Sequence, residues 1–244
     1  MSKLGFCSRS QATEWIVAGR VKLNGAMRRD PETPVHLGKD RIEMDGKLVI
    51  RNAKIYLVMH KPRGLVTTAS DEKGRETVYD CLPKGLPWVA PVGRLDKASE
   101  GLLLFTNDSE WAAPIAAPET HLDKVYHVQV GVIADERLLE ALRNGVRGAE
   151  DGEWLRLKSV NILRQGERNS WIEIVLDEGK NRQIRRILKH LGIEVLRLVR
   201  VAIGPLKLGD LAKGATRTLK LEEKQALDRA MRVQMHEPAS SIRT

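Results

Sequence analysis

Asp96 is the carboxylate whose setting best suits chemistry: in GRLDKASEGLLLFTND, residues 93–108, it follows Arg94 by two residues and precedes an apolar run. Leu102, Leu103, Leu104, Phe105 and Thr106 read as a short strand covered on both faces, ended by the turn Thr106-Asn107-Asp108. Asp96 is thereby placed just outside a core. A nearby guanidinium offsets the desolvation that would raise a carboxyl's pKa, so an aspartate there stays ionised while partly shielded from water. The setting suits a nucleophile or a base, and it equally suits a structural ion pair at a turn.

A family resemblance separates these readings. GRLD followed by GLLL and TND resembles the central motif of the ribosomal pseudouridine synthases, in the small-subunit-type branch whose members modify a single rRNA uridine and carry a small RNA-binding module in front. His60-Lys61-Pro62-Arg63-Gly64, with Asp71 and Gly74, looks like the family's first motif. Lys124-Val125-Tyr126 and Glu178-Gly179-Lys180-Asn181-Arg182-Gln183-Ile184-Arg185-Arg186 look like its later motifs, in the family's order. Ala98-Ser99 and Ser109 depart from the usual residues, although Ser99 keeps a hydroxyl. The resemblance implies that Asp96 is catalytic and that the Tyr126 ring stacks on the target base with its hydroxyl near the aspartate. It also implies that uridine is isomerised to pseudouridine with neither cofactor nor metal. Lys61 and Arg63, in a turn fixed by Pro62 and Gly64, are candidates to hold the RNA backbone, while Arg94 is expected to position it.

These groups need elements to hold them. A helix predicted over 181–191, capped by Asn181, turns Ile184, Ile187, Leu188 and Leu191 to a core. Arg182, Arg186 and Lys189 then point the opposite way, towards RNA phosphates with Lys180, whereas Arg185 stands at the border and is expected to pair with Asp96. Further strands are predicted near residues 55–60, 125–130, 154–163, 171–176 and 195–201, with a helix near 135–143. Few strands are joined by a helix, so an α+β domain with a mixed, mainly antiparallel sheet flanked by helices is expected, not a doubly wound fold.

Residues 1–48 form a front unit. Ser8 or Ser10 caps a helix ending at Gly19, and two hairpins turn at Asn24-Gly25 and Asp45-Gly46. This piece resembles the S-four-like RNA-binding module, a small α-L fold, with only Met1 to Leu4 ahead of its helix where the family has a further helical turn or two, so a module either shortened at its start or starting elsewhere is expected. Arg9, Arg20, Lys22, Arg28 and Arg29 are placed to meet phosphates. Residues 52–228 are expected to form the catalytic domain and 229–244 a mobile tail.

Composition narrows the partners. A formal charge of +9 in 244 residues calls for a polyanion, and ribosomal RNA or a ribosome-assembly intermediate fits. No apolar run is long enough for a membrane span and no signal segment follows Met1, so a cytoplasmic monomer without a membrane partner is expected. Cys7 and Cys81 make no disulfide framework or metal cluster. A methyltransferase would need a glycine-rich strand-turn-helix, which is missing. The remaining rival is a non-catalytic rRNA-binding or assembly protein, which would have no physical need of Asp96.

Overall fold

The structure, a computed structural model, describes residues 1–69, 71–148 and 152–236. A 3-10 turn, Ser2–Leu4, leads into α1 (Arg9–Val17). The Ser8 hydroxyl accepts from Gln11 N–H while the Gln11 side chain accepts from Ser8 N–H, which satisfies two donors that a helix start leaves open. β1 (Val21–Leu23) turns into β2 (Ala26–Arg28), and β3 (Ile42–Met44) into β4 (Lys47–Leu48). Asn24 and Gly25 have φ of 52° and 82°, the left-handed pair that lets a two-residue turn follow the twist of its strands. The strand order is β2-β1-β3-β4, and Val21, Leu23 and Ile42 close on Phe6, Trp15 and Ile16.

The larger unit is built on one sheet. Its strands are β5 (Tyr56–Lys61), β6 (Ala90–Val92), β7 (Glu100–Thr106) and β8 (Lys124–Val130), then β11 (Ser159–Gln165), β12 (Ser170–Leu176), β13 (Val195–Ile203), β14 (Leu206–Lys207) and β15 (Thr216–Thr218). β9 (Val146–Arg147) and β10 (Trp154–Leu155) form a separate ribbon. The order is β11-β12-β8-β13-β7-β5-β15, with β14 on β13 and β6 on β7, and among these pairs only β13 with β7 is parallel. The chain is therefore α+β with a mixed, mainly antiparallel sheet, as the sparse helical connections required.

Helices α2 (Ser109–Ala116), α3 (Glu136–Asn144), α4 (Gln183–His190) and α5 (Leu221–His236) flank the sheet. α3 and α4 cover β8, β11, β12 and β13 over Leu139, Leu142, Ile184, Ile187 and Leu188. α2 and α5 cover the other half over Trp111, Ile115 and Leu227. The expected strand over 154–163 is instead two strands, because Trp154 and Leu155 pair with the β9 ribbon before Ser159 enters the main sheet. α5 occupies residues 229–236, which the sequence had placed in a tail, and residues 237–244 lie outside the described ones.

The two units meet through asparagines. Asn52 donates from its backbone to Leu4 O and from its side chain to Gly5 O, at 3.0 and 2.9 Å. Asn107 donates to Ala53 O and accepts from Ile55 N–H, each at 2.8 Å. The TND turn is thus also a joint, with Asp108 accepting from Trp111 N–H as the N-cap of α2.

Candidate active site

The site lies where the sheet forks. One edge of β7 pairs with β13 only at Val199–Glu100 and Arg200–Gly101, and farther on the same strand pairs with β6 from Leu104 to Thr106. Between them opens a cleft of about 940 Å³, counting its mouth. Six cations, Arg94, Lys124, Lys180, Arg182, Arg185 and Arg200, line it against two carboxylates, Asp96 and Glu178, so its field favours an anionic ligand. Gly101 makes the fork possible: its φ is +111°, and a Cβ there would stand 2.2 Å from the Arg200 carbonyl oxygen.

Asp96 sits in the loop between β6 and β7, and every carbonyl from residue 95 to 99 is held. Thr67 Oγ1 donates to Leu95 O at 2.7 Å, and Gly64 N–H to Lys97 O at 2.8 Å. Lys61 Nζ donates to Asp96 O at 3.2 Å and Ser99 O at 2.9 Å, while Ser99 N–H closes a turn onto Asp96 O at 3.0 Å. Arg185 Nη2 donates to Ala98 O at 2.9 Å and reaches Ser99 Oγ at 3.4 Å. The first motif and α4 thus fix the loop from two sides. The Asp96 carboxylate stays 35% exposed in the cleft, 3.3 Å from Arg182 Nη1.

Two expectations are corrected here. The ion-pair partner of Asp96 is Arg182, and Arg185 holds the backbone beneath it. The helical wheel placed Arg182 outward on the assumption of a helix from residue 181, but α4 begins at Gln183. Arg182 is its N-cap, with a left-handed φ of 49° and no side-chain cap bond, so it leaves the wheel and swings back to Asp96. Asn181 is therefore not the cap. Burial, reinforced by Arg182, lowers the Arg185 pKa, and the Asp96 carboxylate opposes that shift.

Lys61 is the second correction, because a side chain with no exposed surface cannot meet RNA. Its ammonium donates to three carbonyls, those of Pro62, Asp96 and Ser99. Burial lowers its pKa to about 8 against the pull of Asp96 and Glu100. A neutral amine has two N–H donors for these three carbonyls, so turnover is expected to fall above about pH 8 as the Asp96 loop loses a hydrogen bond. Stability moves the other way. The unfolded chain binds more protons between about 8 and 10.5, so the contribution of Lys61 to folding grows across that window, its penalty being fully present below pH 8. Lys61→Met should lose the alkaline fall at a lower plateau, read from kcat against pH beside urea unfolding.

The other expected contacts divide. Tyr126 lines the same cleft, on β8 opposite Ile174 and Arg200. Arg9, Lys22, Arg28, Arg63, Arg94 and Lys189 are exposed. Arg20 pairs with Asp45 and lies over the Trp15 ring, and Arg29 donates to Val17 O. Lys180 is held by Glu178 at 3.1 Å and Glu153 at 3.5 Å. Arg186 is 3.3 Å from Glu153, so this cation of the helical face and Lys180 before it are each paired with a carboxylate. Sequence reasoning missed Thr67 and Arg200, and gave Lys124 no role. Thr67 carries no motif signal, whereas Arg200 follows a strand's alternation and a buried arginine there is a detectable anomaly.

Among the described residues no cluster of three His, Cys, Asp or Glu side chains could hold a metal, and no helix is long and apolar enough to cross a membrane. Comparison with known proteins gives concordant results. Residues 55–190 match the family described as RNA pseudouridylate synthase, and residues 1–42 match the S4 domain. An uncharacterised RNA pseudouridine synthase of Rickettsia prowazekii is 40% identical, over 92% of this chain and 95% of its own. The ribosomal large subunit pseudouridine synthase B of Bacillus subtilis is 37% identical, over 91% of each. A pseudouridylate synthase crystal structure superposes with a TM-score of 0.66 at 27% identity, over 92% of this chain and 95% of that one.

Proposed function

The chain belongs to the RNA pseudouridylate synthase family, an isomerase acting on RNA, and from that premise we propose that it isomerises a uridine of large-subunit ribosomal RNA with Asp96 as the acting carboxylate. The observation that carries the assignment is the clamped loop, which presents the Asp96 carboxylate, 3.3 Å from Arg182, to a cation-lined cleft. The name of the Bacillus subtilis relative supports the large subunit as the source of substrate, free or within an assembly intermediate.

The reaction breaks the bond between N1 and the sugar, turns the base in place and joins C5 to C1′. No redox step or energy input is required. Asp96 assists as a nucleophile towards sugar or base, or as a base towards a sugar proton. Arg182 pairs with it at 3.3 Å and aims it, and Arg185 with Lys61 fixes the loop that carries it. The Tyr126 ring faces the same space and offers a stacking surface, which returns part of the few kcal/mol lost when a base leaves its helix.

Mapping pseudouridines in rRNA from a strain lacking the protein tests the assignment. One site should disappear from the large-subunit rRNA; loss from the small subunit would move the substrate, and an unchanged map would refute the reading. The front module should supply phosphate contacts. Changing Arg9, Lys22 and Arg28 together to glutamine should reduce the slope of log affinity against log salt by about 2 to 3 units, and an unchanged slope would show that this face does not meet the backbone.

A further inference from the structure

Lys124 and Arg200 both line the cleft, as Tyr126 does, and no step of the reaction above has been assigned to either. Arg200 is opposite Tyr126 in the β13–β8 register, and past a bulge Ile203 is opposite Lys124. Arg200 is 6% exposed, its Nε donates to Leu102 O at 2.8 Å, and its buried Nη2 has no partner. Lys124 makes no side-chain hydrogen bond or ion pair among the described residues, and adjacent Asp123 is engaged by Lys158 at 2.7 Å. Burial first, and then the Arg200 charge, lower the Lys124 pKa against Asp123 and Asp177. Two neighbouring cations without a carboxylate between them are costly to bury. The arrangement becomes favourable when negative charge arrives.

Arg94 and Arg182 in the lining of the cleft are exposed whereas Arg200 is buried, so a base extruded from its helix would reach Arg200 with its phosphates left nearer the exposed pair. A uracil ring is neutral when it arrives and becomes anionic only during reaction.

We propose that Lys124 and Arg200 stabilise the negative charge that develops on the carbonyl oxygens of the uracil ring and hold the ring while it is detached from the sugar. This rests on the pseudouridine synthase reading of the cleft. When the N1–C1′ bond breaks, its electron pair stays on the ring as a monoanion spread over O2 and O4. Asp96 takes up the sugar's deficit, as an ester at C1′ or by removing the C2′ proton. If Asp96 first adds to C6, O4 carries the same charge. Joining C5 to C1′ releases Asp96, or returns the C2′ proton, while N1 gains a proton and the C5 proton goes to solvent. Groups that meet charge only after bond breaking begins raise the rate without tightening binding.

The test is single-turnover tritium release from rRNA labelled at uridine C5, with the full chain, beside RNA affinity and Tm. Lys124→Met keeps the side-chain length and should slow release by about 100-fold, with affinity and Tm close to wild type. Lys124→Arg should recover much of the rate. Arg200→Gln should slow release further and also lower Tm, because Leu102 O loses its donor. A wild-type rate for Lys124→Met would overturn the proposal. So would a rate loss matched by weaker RNA binding with a flatter salt slope, which marks a phosphate contact, or one matched by a fallen Tm, which marks a structural role. If the wild-type protein itself forms no pseudouridine, the parent reading fails; if it is active and Lys124→Met is equally fast, only this inference does.

Discussion

Asp96→Asn should abolish pseudouridine formation, lowering the rate by about 1,000-fold or more, while the variant should still bind RNA within a few-fold of wild type. The amide cannot act as base or nucleophile, yet it fills the same volume. The loop that carries it is held through its backbone by Lys61, Gly64, Thr67 and Arg185, so the fold does not depend on the carboxylate. The change removes the 3.3 Å ion pair to Arg182 between two partly exposed side chains, which contributes about 0–1 kcal/mol. Tritium release and filter binding on one RNA separate chemistry from affinity. Full activity in this variant would remove Asp96 from the mechanism and return it to the structural ion pair that an Arg-x-Asp turn suggests.

The second large effect is on folding. Gly101→Ala should cost about 4 kcal/mol or more, a large part of the 5–15 kcal/mol that holds an ordinary domain together. The new Cβ would stand 2.2 Å from Arg200 O and 2.6 Å from Arg200 N, backbone atoms that no rotamer change can move. A φ of +111° adds strain of its own, since L side chains rarely adopt it. Relief requires β13 to pull away from β7, which breaks the parallel pairing at the fork and shifts Arg200 opposite Tyr126. Urea unfolding should show a much lower midpoint, and any folded fraction should turn over slowly. A variant with wild-type stability would mean that β7 and β13 separate at little cost, and the fork would not be the rigid seat of the cleft.

Much of the architecture can be read locally. The Asn24-Gly25 and Asp45-Gly46 turns, the Ser8 cap and the buried run of β7 are each dictated by neighbours in sequence, and each stands where it was expected. α2 escaped notice because Asp108, taken as the end of a turn, is its N-cap, and Pro114 lies inside it. The 154–163 segment has strand character throughout, but Leu155 finds its partner in Val146 and not in the main sheet. Propensity reports that a segment is extended, whereas its neighbour depends on chain far away.

By itself the sequence determined which family the chain resembles and that an anionic polymer suits it, and through that resemblance it singled out Asp96 as the carboxylate to propose. The motifs are residue types at fixed spacing and the partner follows from net charge, neither of which needs coordinates. Only the tertiary structure decided which cation does what. Arg182 and Arg185 are three residues apart and chemically alike, yet one leaves the helix at a left-handed N-cap to meet the Asp96 carboxylate and the other holds the backbone below. Lys61, a plausible phosphate contact by type, is fully buried under a loop 35 residues away in the chain. A helical wheel assumes that the helix continues, and a basic residue in a motif carries no sign of whether it faces water or carbonyls. Both questions are settled by contacts between distant segments that the fold brings together at one fork in a sheet.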